Sequence, residues 1–325
     1  MHDLRRKIRI SSVGLMVALL TVIPESRVRG QVPDPTRLGE GVRPLSVPSL
    51  EEDDGIATFA LDDENDFAPE SPGDDDIGQQ LILKSSERER WFNAQFNTSL
   101  FTTDNAANLS KGEEGDSFWA NQLSLGAQPK LADRLYLDAF VSQQIYRYDE
   151  YDFLDYEYLQ ASLGLILLEP RLWDSILYVQ GQYGRTTSDF FGQDVFNSFS
   201  LVAGIQKTLV FDRKNSLYMN LMGDWDIATD NDALANSQYI IDLAYRYKIM
   251  RDLVLSASYR FTWFDYQDVG RSDVLNLAGL YLSWTPEKWI SLYGGVTFNF
   301  NNSNVDVFDY HSASVGGGLG LLIRF

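Results

Sequence analysis

The sequence predicts an all-β protein: a twelve-stranded antiparallel transmembrane up-and-down β-barrel that follows a disordered acidic tail. Three observations carry this prediction. Hydrophobicity alternates with a period of two from Trp91 to the last residue, the connections between alternating segments are short and long in turn, and prolines and tryptophans fall at the ends of the segments. Alternation is the pattern of a strand with two different faces, and segregated loop lengths are typical of membrane barrels.

The first thirty residues have the composition of a secretory signal peptide. An apolar run from Val13 to Ile23 follows four basic residues, Arg5, Arg6, Lys7 and Arg9. The run is shorter than the ~20 residues that cross a bilayer as a helix, and Val28 and Gly30 suit a cleavage site. We therefore expect residues 1–30 to be removed and the remaining chain to be exported.

Residues 31–89 form a separate acidic segment. They contain sixteen acidic and four basic residues, and six of the ten prolines of the chain. High charge with few large apolar side chains does not bury enough surface to offset the entropy of ordering, so we expect a disordered tail or linker. Two short apolar islands, at 56–61 and 80–83, interrupt it. Whether these islands dock on a partner, dock on the folded domain or are incidental stays open at this stage.

Twelve alternating segments fill residues 90–325, the predicted barrel domain. In the fourth segment Leu163 and Leu165 share one face, whereas Gln160 and Ser162 share the other. An even number of strands places both ends of the barrel on the short-turn side. The segments lie near 91–101, 117–128, 134–147, 156–168, 175–186, 197–210, 215–227, 238–249, 252–264, 273–284, 289–300 and 312–325.

The ends of the predicted strands carry the residues that a membrane selects. Pro129, Pro170 and Pro286 each lie in a short connection, as expected where every backbone N–H within a strand must be paired in lipid. The tryptophans predict two interfacial girdles. These are Trp91, Trp173, Trp284 and Trp289 at the short-turn ends, and Trp119, Trp225 and Trp263 toward the long-loop ends.

The last strand carries a family resemblance. It places Leu321, Ile323 and Phe325 on one face and Gly320 and Arg324 on the other. A terminal aromatic residue with apolar residues at every second position resembles the C-terminal strand signal of Gram-negative outer-membrane β-barrel proteins, a porin-like class in which no single subfamily is matched. The resemblance implies that the barrel assembly machinery recognises Leu321, Ile323 and Phe325. It also implies contact with outer-membrane lipids and lipopolysaccharide, and a periplasmic N-terminal tail.

The polar faces of the strands predict the lining of the lumen. Twelve strands lie between the eight whose interior side chains fill and the sixteen that leave an aqueous channel. Inward glycines of the last strand favour an open lumen. Four charged residues are expected at similar heights, either as a ladder that screens solutes or as a salt-bridge network that rigidifies a closed barrel. The lining candidates are Asp138, Gln180, Gln182, Asp224, Asp242, Arg246, Arg260 and Arg324, and the four at similar heights are Asp224, Asp242, Arg246 and Arg260.

Composition excludes several other classes. The net charge of −19 argues against binding to nucleic acid, which requires clustered Lys and Arg. The chain has no cysteine, so it has neither a disulfide nor a Cys nucleophile, and no cofactor or metal motif is present. Several twelve-stranded barrels are hydrolases, but their motifs are absent here. His311 lies near Asp309 and Ser312, yet on a pleated strand it points to the face opposite Ser312.

The function predicted from these features is a passive, porin-like channel for small hydrophilic solutes, neutral or cationic, because the long loops are rich in acidic residues. One alternative is a non-conducting outer-membrane anchor whose acidic periplasmic tail, residues 31–89, binds an envelope partner. A hydrolase is the weaker alternative, and no enzymatic activity is expected.

Overall fold

The computed structural model describes residues 91–188 and 192–325, and these form one β-barrel. The predicted signal peptide (1–30) and acidic tail (31–89) lie outside the described residues. The strands are β1 (Phe92–Thr103), β2 (Asp116–Ala127), β3 (Lys130–Ala132), β4 (Leu135–Tyr148), β5 (Tyr156–Glu169), β6 (Ser175–Thr187), β7 (Asp194–Val210), β8 (Asn215–Thr229), β9 (Ser237–Lys248), β10 (Leu253–Tyr266), β11 (Arg271–Glu287), β12 (Ile290–Ser303) and β13 (Tyr310–Arg324).

The barrel closes between its first and last strands. Each long strand pairs antiparallel with its neighbours in sequence, β2 pairs with β4, and β1 pairs with β13 from Asn93 opposite Arg324 to Thr103 opposite Ser314. The prediction of twelve antiparallel strands in a barrel is therefore confirmed. The strand β3 is an addition: three residues of the first short turn pair with the start of β4.

Most connections differ in length at the two ends as predicted, but the predicted long loop 265–272 is reduced to residues 267–270, because β10 and β11 extend into it. One end carries the turns 170–174, 211–214, 249–252 and 288–289, and the other carries the loops 104–115, 149–155, 230–236 and 304–309. Several strands extend further toward the long loops than hydrophobicity indicates, because backbone pairing continues past the apolar band, as between Asp273 and Ser303. Among the described residues, no helix has the length and apolar character to cross a membrane.

The two faces of the barrel wall differ sharply in chemistry. Large apolar side chains such as Leu163, Leu221 and Phe298 are exposed on the outer face, and alternate residues such as Gln144 and Asn299 are buried on the inner face. An apolar outside around a polar inside is the arrangement that a barrel needs in lipid. The wall therefore inverts the arrangement of a water-soluble β-barrel.

The seam of the barrel joins both ends of the domain. The backbone N–H of Phe92 donates to the carbonyl of Phe325 at 3.1 Å, and that of Phe325 donates to Phe92 at 3.0 Å. Their rings stack with centroids 6.1 Å apart. The residues of the predicted assembly signal thus lie at the closing seam, where Leu321 faces Phe96 and Ile323 faces Ala94.

Candidate functional site: the inner wall of the barrel

The eight predicted lining residues lie on the inward-facing positions of their strands. Asp138, Gln180 and Asp242 are buried, with relative exposures of 4%, 8% and 2%. The other five are half-buried: Gln182, Asp224, Arg246, Arg260 and Arg324.

Asp138 is held by two amides from other strands. Gln128, just after β2, donates to one carboxylate oxygen at 2.8 Å, and Gln180 on β6 donates to the other at 2.7 Å. Both oxygens of this buried carboxylate are thus satisfied, as burial of a polar group requires. The Gln180 contact ties β6 to β4 across the intervening strand β5, and the Gln128 contact ties the end of β2 to β4.

Asp242 is the centre of a second network. Arg260 donates to it through Nε at 2.6 Å and through Nη2 at 3.3 Å, and Asn220 donates at 3.1 Å. Asn220 in turn accepts a hydrogen bond from the hydroxyl of Tyr178 at 2.9 Å. The chain of contacts crosses from β6 to β10. At this level the structure forms the salt-bridge network rather than a ladder of separate charges.

The four charges expected at similar heights lie at three levels, so that part of the prediction is wrong. Asp242 lies opposite Asn220 and Arg260. Asp224 lies four residues beyond Asn220 toward the long loops, and Arg246 lies four residues beyond Asp242 toward the short turns. Sequence alone does not give the register between strands, and register decides which charges meet.

The inward glycines of β13 do not leave open space, contrary to the prediction. A Cβ atom at Gly316 would lie 2.5 Å from the ring of Phe101, and one at Gly318 would lie 2.7 Å from Cβ of Ser99. A Cβ atom at Gly320 would lie 2.7 Å from Oγ of Ser291 on β12 and 2.8 Å from Oδ1 of Asn97 on β1. Atoms of the two adjacent strands therefore occupy the room that the glycines leave, and the glycines allow close packing at the seam.

Several inward tyrosines lie flat along the wall over glycines of a neighbouring strand. A Cβ atom at Gly204 would lie within 2.5 Å of the Tyr178 ring. Packing of an aromatic ring over a strand glycine protects the backbone and is a known device of β-sheets. Each ring therefore leans against the wall over the glycine that it covers. The pairs are Tyr178 over Gly204, Tyr158 over Gly184, and Tyr281 over Gly295.

We expect Gly204→Val to displace Tyr178 from its hydrogen bond to Asn220. Overpacking of this kind costs about 1–3 kcal/mol, measured as a loss of unfolding free energy in urea. The cost of Gly204→Val should be much smaller in a Tyr178→Ala background than in the natural chain, because the clash with the ring is then absent. An equal cost of Gly204→Val in the two backgrounds would contradict the packing described here.

Apolar clusters inside the barrel are the main feature that sequence reasoning missed. One contains Tyr136, Ile166, Tyr178 and Val202 on β4 to β7. Two others lie toward the long loops, and one of these stacks Tyr146 on Tyr156 with ring centroids 4.5 Å apart. The inward parity of these residues is visible in the sequence. Their grouping is not, because it depends on register.

The tryptophans lie where the sequence places them along the strands. Six of the seven are exposed, and Trp225 is half-buried against Tyr239 with ring centroids 6.3 Å apart. Trp284 donates through Nε1 to Asp252 in a short turn at 2.7 Å. Their role as two membrane girdles stays a prediction. The six exposed ones are Trp91, Trp119, Trp173, Trp263, Trp284 and Trp289.

His311 does not assemble a triad with its neighbours. Its Nε2 lies 3.2 Å from a carboxylate oxygen of Glu113 in the first long loop. Ser312 is buried on the inner face, where its hydroxyl contacts Asn299. The Asp309 carboxylate accepts the backbone N–H of Ser303 at 2.6 Å. These three side chains therefore point to three different partners.

Several acidic residues of the long loops have structural roles. The buried carboxylate of Asp116 accepts the backbone N–H groups of Glu150 and Tyr151 at 3.0–3.2 Å, which ties the first loop to the second. Tyr151 donates its hydroxyl to Glu114, and this hydrogen bond raises the pKa of Tyr151 to about 12. Asp230 caps the backbone of Asn197 at 2.9 Å. The loops are thus ordered by some of their own acids.

Comparison with solved structures finds the same architecture in an outer membrane channel from Pseudomonas putida F1. The match covers 72% of this chain and 96% of that one, with a TM-score of 0.50 and 14% sequence identity. The chain has the fold of an outer-membrane β-barrel. At this identity the likeness establishes the fold and leaves the function open.

Two further solved structures are more distant. The KdgM porin matches with 8% identity over 70% of this chain and 98% of that one, at a TM-score of 0.37. An anion-selective porin from Comamonas acidovorans matches with 7% identity over 71% and 98%, at 0.35. No argument rests on these lower scores. No protein-family model matches the chain, and no curated protein matches it.

Proposed function

We propose that this barrel is a porin-like passive channel of the outer membrane for small hydrophilic solutes, neutral or cationic. The observation that carries the proposal is the inner wall. Its polar side chains bond to one another along the wall, as Asp242 does with Arg260 and Asn220, and its tyrosines lie flat over glycines. Such a wall presents amide, hydroxyl and carboxylate groups, which suit hydrated solutes.

The likeness to the Pseudomonas putida F1 channel supports the same proposal, since that protein has this fold and is described as a channel. We also infer from this likeness that the barrel lies in the outer membrane. We infer that residues 1–30 direct export and are cleaved, and that the tail at 31–89 is periplasmic. We further infer that the barrel assembly machinery recognises Leu321, Ile323 and Phe325, and that the outer face contacts lipids and lipopolysaccharide.

The preference for cations rests on charge at the long-loop end. Exposed acids such as Glu113, Asp232 and Asp268 surround this mouth, and Asp224 on the inner wall lies toward it. A mouth of one sign raises the local concentration of ions of the opposite sign. Neutral solutes are unaffected by this field, whereas anions are disfavoured.

The direct test is single-channel conductance of the refolded protein in planar bilayers, with and without residues 31–89. We expect steady current in at least the tail-free protein and a reversal potential in a salt gradient that shows preference for cations. Raising the ionic strength should reduce this preference, since salt screens surface charge.

Absence of current from both proteins would overturn the channel proposal, provided that assembly of the barrel is verified separately. A suitable check is resistance of the barrel to unfolding by detergent in an unheated sample, seen as a folded band on a gel. The anchor would then be the better account, with the acidic tail as the segment that binds an envelope partner. Current with a preference for anions would retain the channel and contradict the proposed solute class.

A further inference from the structure

Charge is distributed unequally between the two ends of the barrel. The long-loop end is rich in acids, as described above. At the short-turn end, bases collect on two adjacent turns, 211–214 and 249–252, and on the end of β9 between them. We call this surface the basic rim, and it consists of Arg213, Lys214, Arg246, Lys248 and Arg251.

The members of the basic rim are close in the fold. The backbone N–H of Lys248 donates to the carbonyl of Lys214 at 2.8 Å, which joins the turn 211–214 to the end of β9. Arg246 and Lys248 are half-buried and occupy inward positions at the end of β9, whereas Arg213 and Arg251 are exposed on the turns. The rim therefore extends from the turns to the inner wall of the barrel mouth.

The acids in the same turns are directed into the turns. Asp212 accepts the backbone N–H of Lys214 at 2.7 Å and the side-chain amide of Asn215 at 2.9 Å. These hydrogen bonds hold the pKa of Asp212 below its usual range. Asp252 accepts the indole N–H of Trp284 at 2.7 Å. The five bases of the basic rim are therefore accompanied by only two acids in these turns, Asp212 and Asp252, and the surface has a net positive charge.

Among the described residues, the other short turns have a smaller excess of bases. In the turn 170–174, Arg171 lies between Glu169 and Asp174, and Glu287 adjoins Lys288 in the last turn. In the first turn Lys130 lies 3.9 Å from Asp133, which leaves Arg134 as the excess base. The positive charge is thus largest on the side of the mouth formed by β8, β9 and β10.

We propose that the acidic segment 31–89 of the same chain docks on the basic rim. The segment has a large excess of acids, with sixteen acidic and four basic residues. It lies just before Trp91 in the sequence, and Trp91 begins the barrel at the short-turn end, where the rim lies. A tethered segment meets its site at a high effective concentration. Weak individual ion pairs are then sufficient to hold it, whereas a free acidic peptide would bind poorly.

The tether is long enough for this contact. The acidic run Asp74 to Asp76 lies fifteen residues before Trp91, and an extended chain of that length spans about 50 Å. Twelve tilted strands make a barrel about 25 Å across. The run can therefore reach any point of the short-turn rim, and charge decides where it stays.

Disulfide trapping in the full mature chain tests this docking, because the chain has no cysteine of its own. The test variant combines Asp75→Cys with Arg251→Cys. The matched control combines Asp75→Cys with Arg171→Cys, on the turn between β5 and β6. Counted around the barrel, the control turn is nearer to β1 than the test turn, so the tether alone favours the control.

At low ionic strength we expect the disulfide to Arg251→Cys to form about fivefold faster than the control disulfide, from the sum of several weak ion pairs. Salt at about 0.5 M should abolish the difference by screening. Adding Lys214→Gln and Lys248→Gln should also lower the rate at Arg251→Cys.

Equal rates for the two pairs at low salt, or a faster control, would overturn the docking proposal. A preference for Arg251→Cys that survives both high salt and the two Lys→Gln changes would also overturn it, since charge would not be the cause. Neither result bears on conduction, because the trapping experiment requires no open lumen.

Discussion

Replacing Leu165 by Arg is expected to block assembly of the barrel. Leu165 lies on the outer face of β5 with 40% exposure, between Leu137 and Val179 on the adjacent strands. An Arg side chain within the apolar band of a membrane barrel costs about 2–4 kcal/mol near the midplane. Folding into lipid vesicles, followed by protease resistance, measures the yield of assembled barrel.

Two matched variants separate lipid exposure from a general effect of mutation in β5. Leu165→Met keeps an apolar side chain at the same position and should assemble normally. Gln160→Arg places the same charge on the inner face of the same strand, where Gln160 donates to Gln182 at 2.7 Å and Arg retains a donor. If Leu165→Arg assembles as well as Gln160→Arg, the outer face of β5 is not in lipid and the membrane assignment is wrong.

Removing Arg260 is expected to be the most destabilising change on the inner wall. Asp242 is 2% exposed and depends on Arg260 and Asn220 for its hydrogen bonds. Breaking a buried ion pair by removing one partner costs about 3–5 kcal/mol, because the remaining charge is buried without compensation. Arg260→Met should lower the urea midpoint of unfolding correspondingly.

The double variant Arg260→Met with Asp242→Asn provides the control. It removes both charges and retains an amide beside Asn220, so most of the lost stability should return. A double variant as unstable as Arg260→Met alone would mean that the loss comes from packing of the Arg260 side chain. The ion pair between Arg260 and Asp242 would then not be the source of the lost stability.

The prediction of the barrel from sequence rested on features that are local along the chain. Alternation places Leu163 and Leu165 on one face and Gln160 and Ser162 on the other whatever the partner strands are, since a strand has a period of two. For this reason strand number, the two faces and the loop asymmetry were predicted correctly. Pro129 and Pro170 lie in short turns, as predicted, whereas the prediction for Pro286 is wrong: this residue lies within β11, where the pairing shifts between Trp284 and Glu287 and leaves its missing N–H outside the regular ladder.

The inner wall was predicted less well because its contacts are between strands. Asp224, Asp242 and Arg246 all have inward parity, yet only Asp242 meets Arg260. The ring of Tyr178 covers Gly204 on the next strand, a contact that no spacing within one strand reveals. Asp116 at the start of β2 accepts the backbone N–H of Tyr151, thirty-five residues further along the chain, a contact that no local pattern predicts.

By itself the sequence determined the class of barrel, the face that each side chain of a strand occupies, and the acidic character of the segment before it. The tertiary structure alone decided the register, and with it the Asp138 and Asp242 networks, the filling of the space beside Gly316, and the gathering of bases around Lys248. The physical reason is that parity repeats along one strand, whereas register is fixed jointly by turns and side-chain packing between strands.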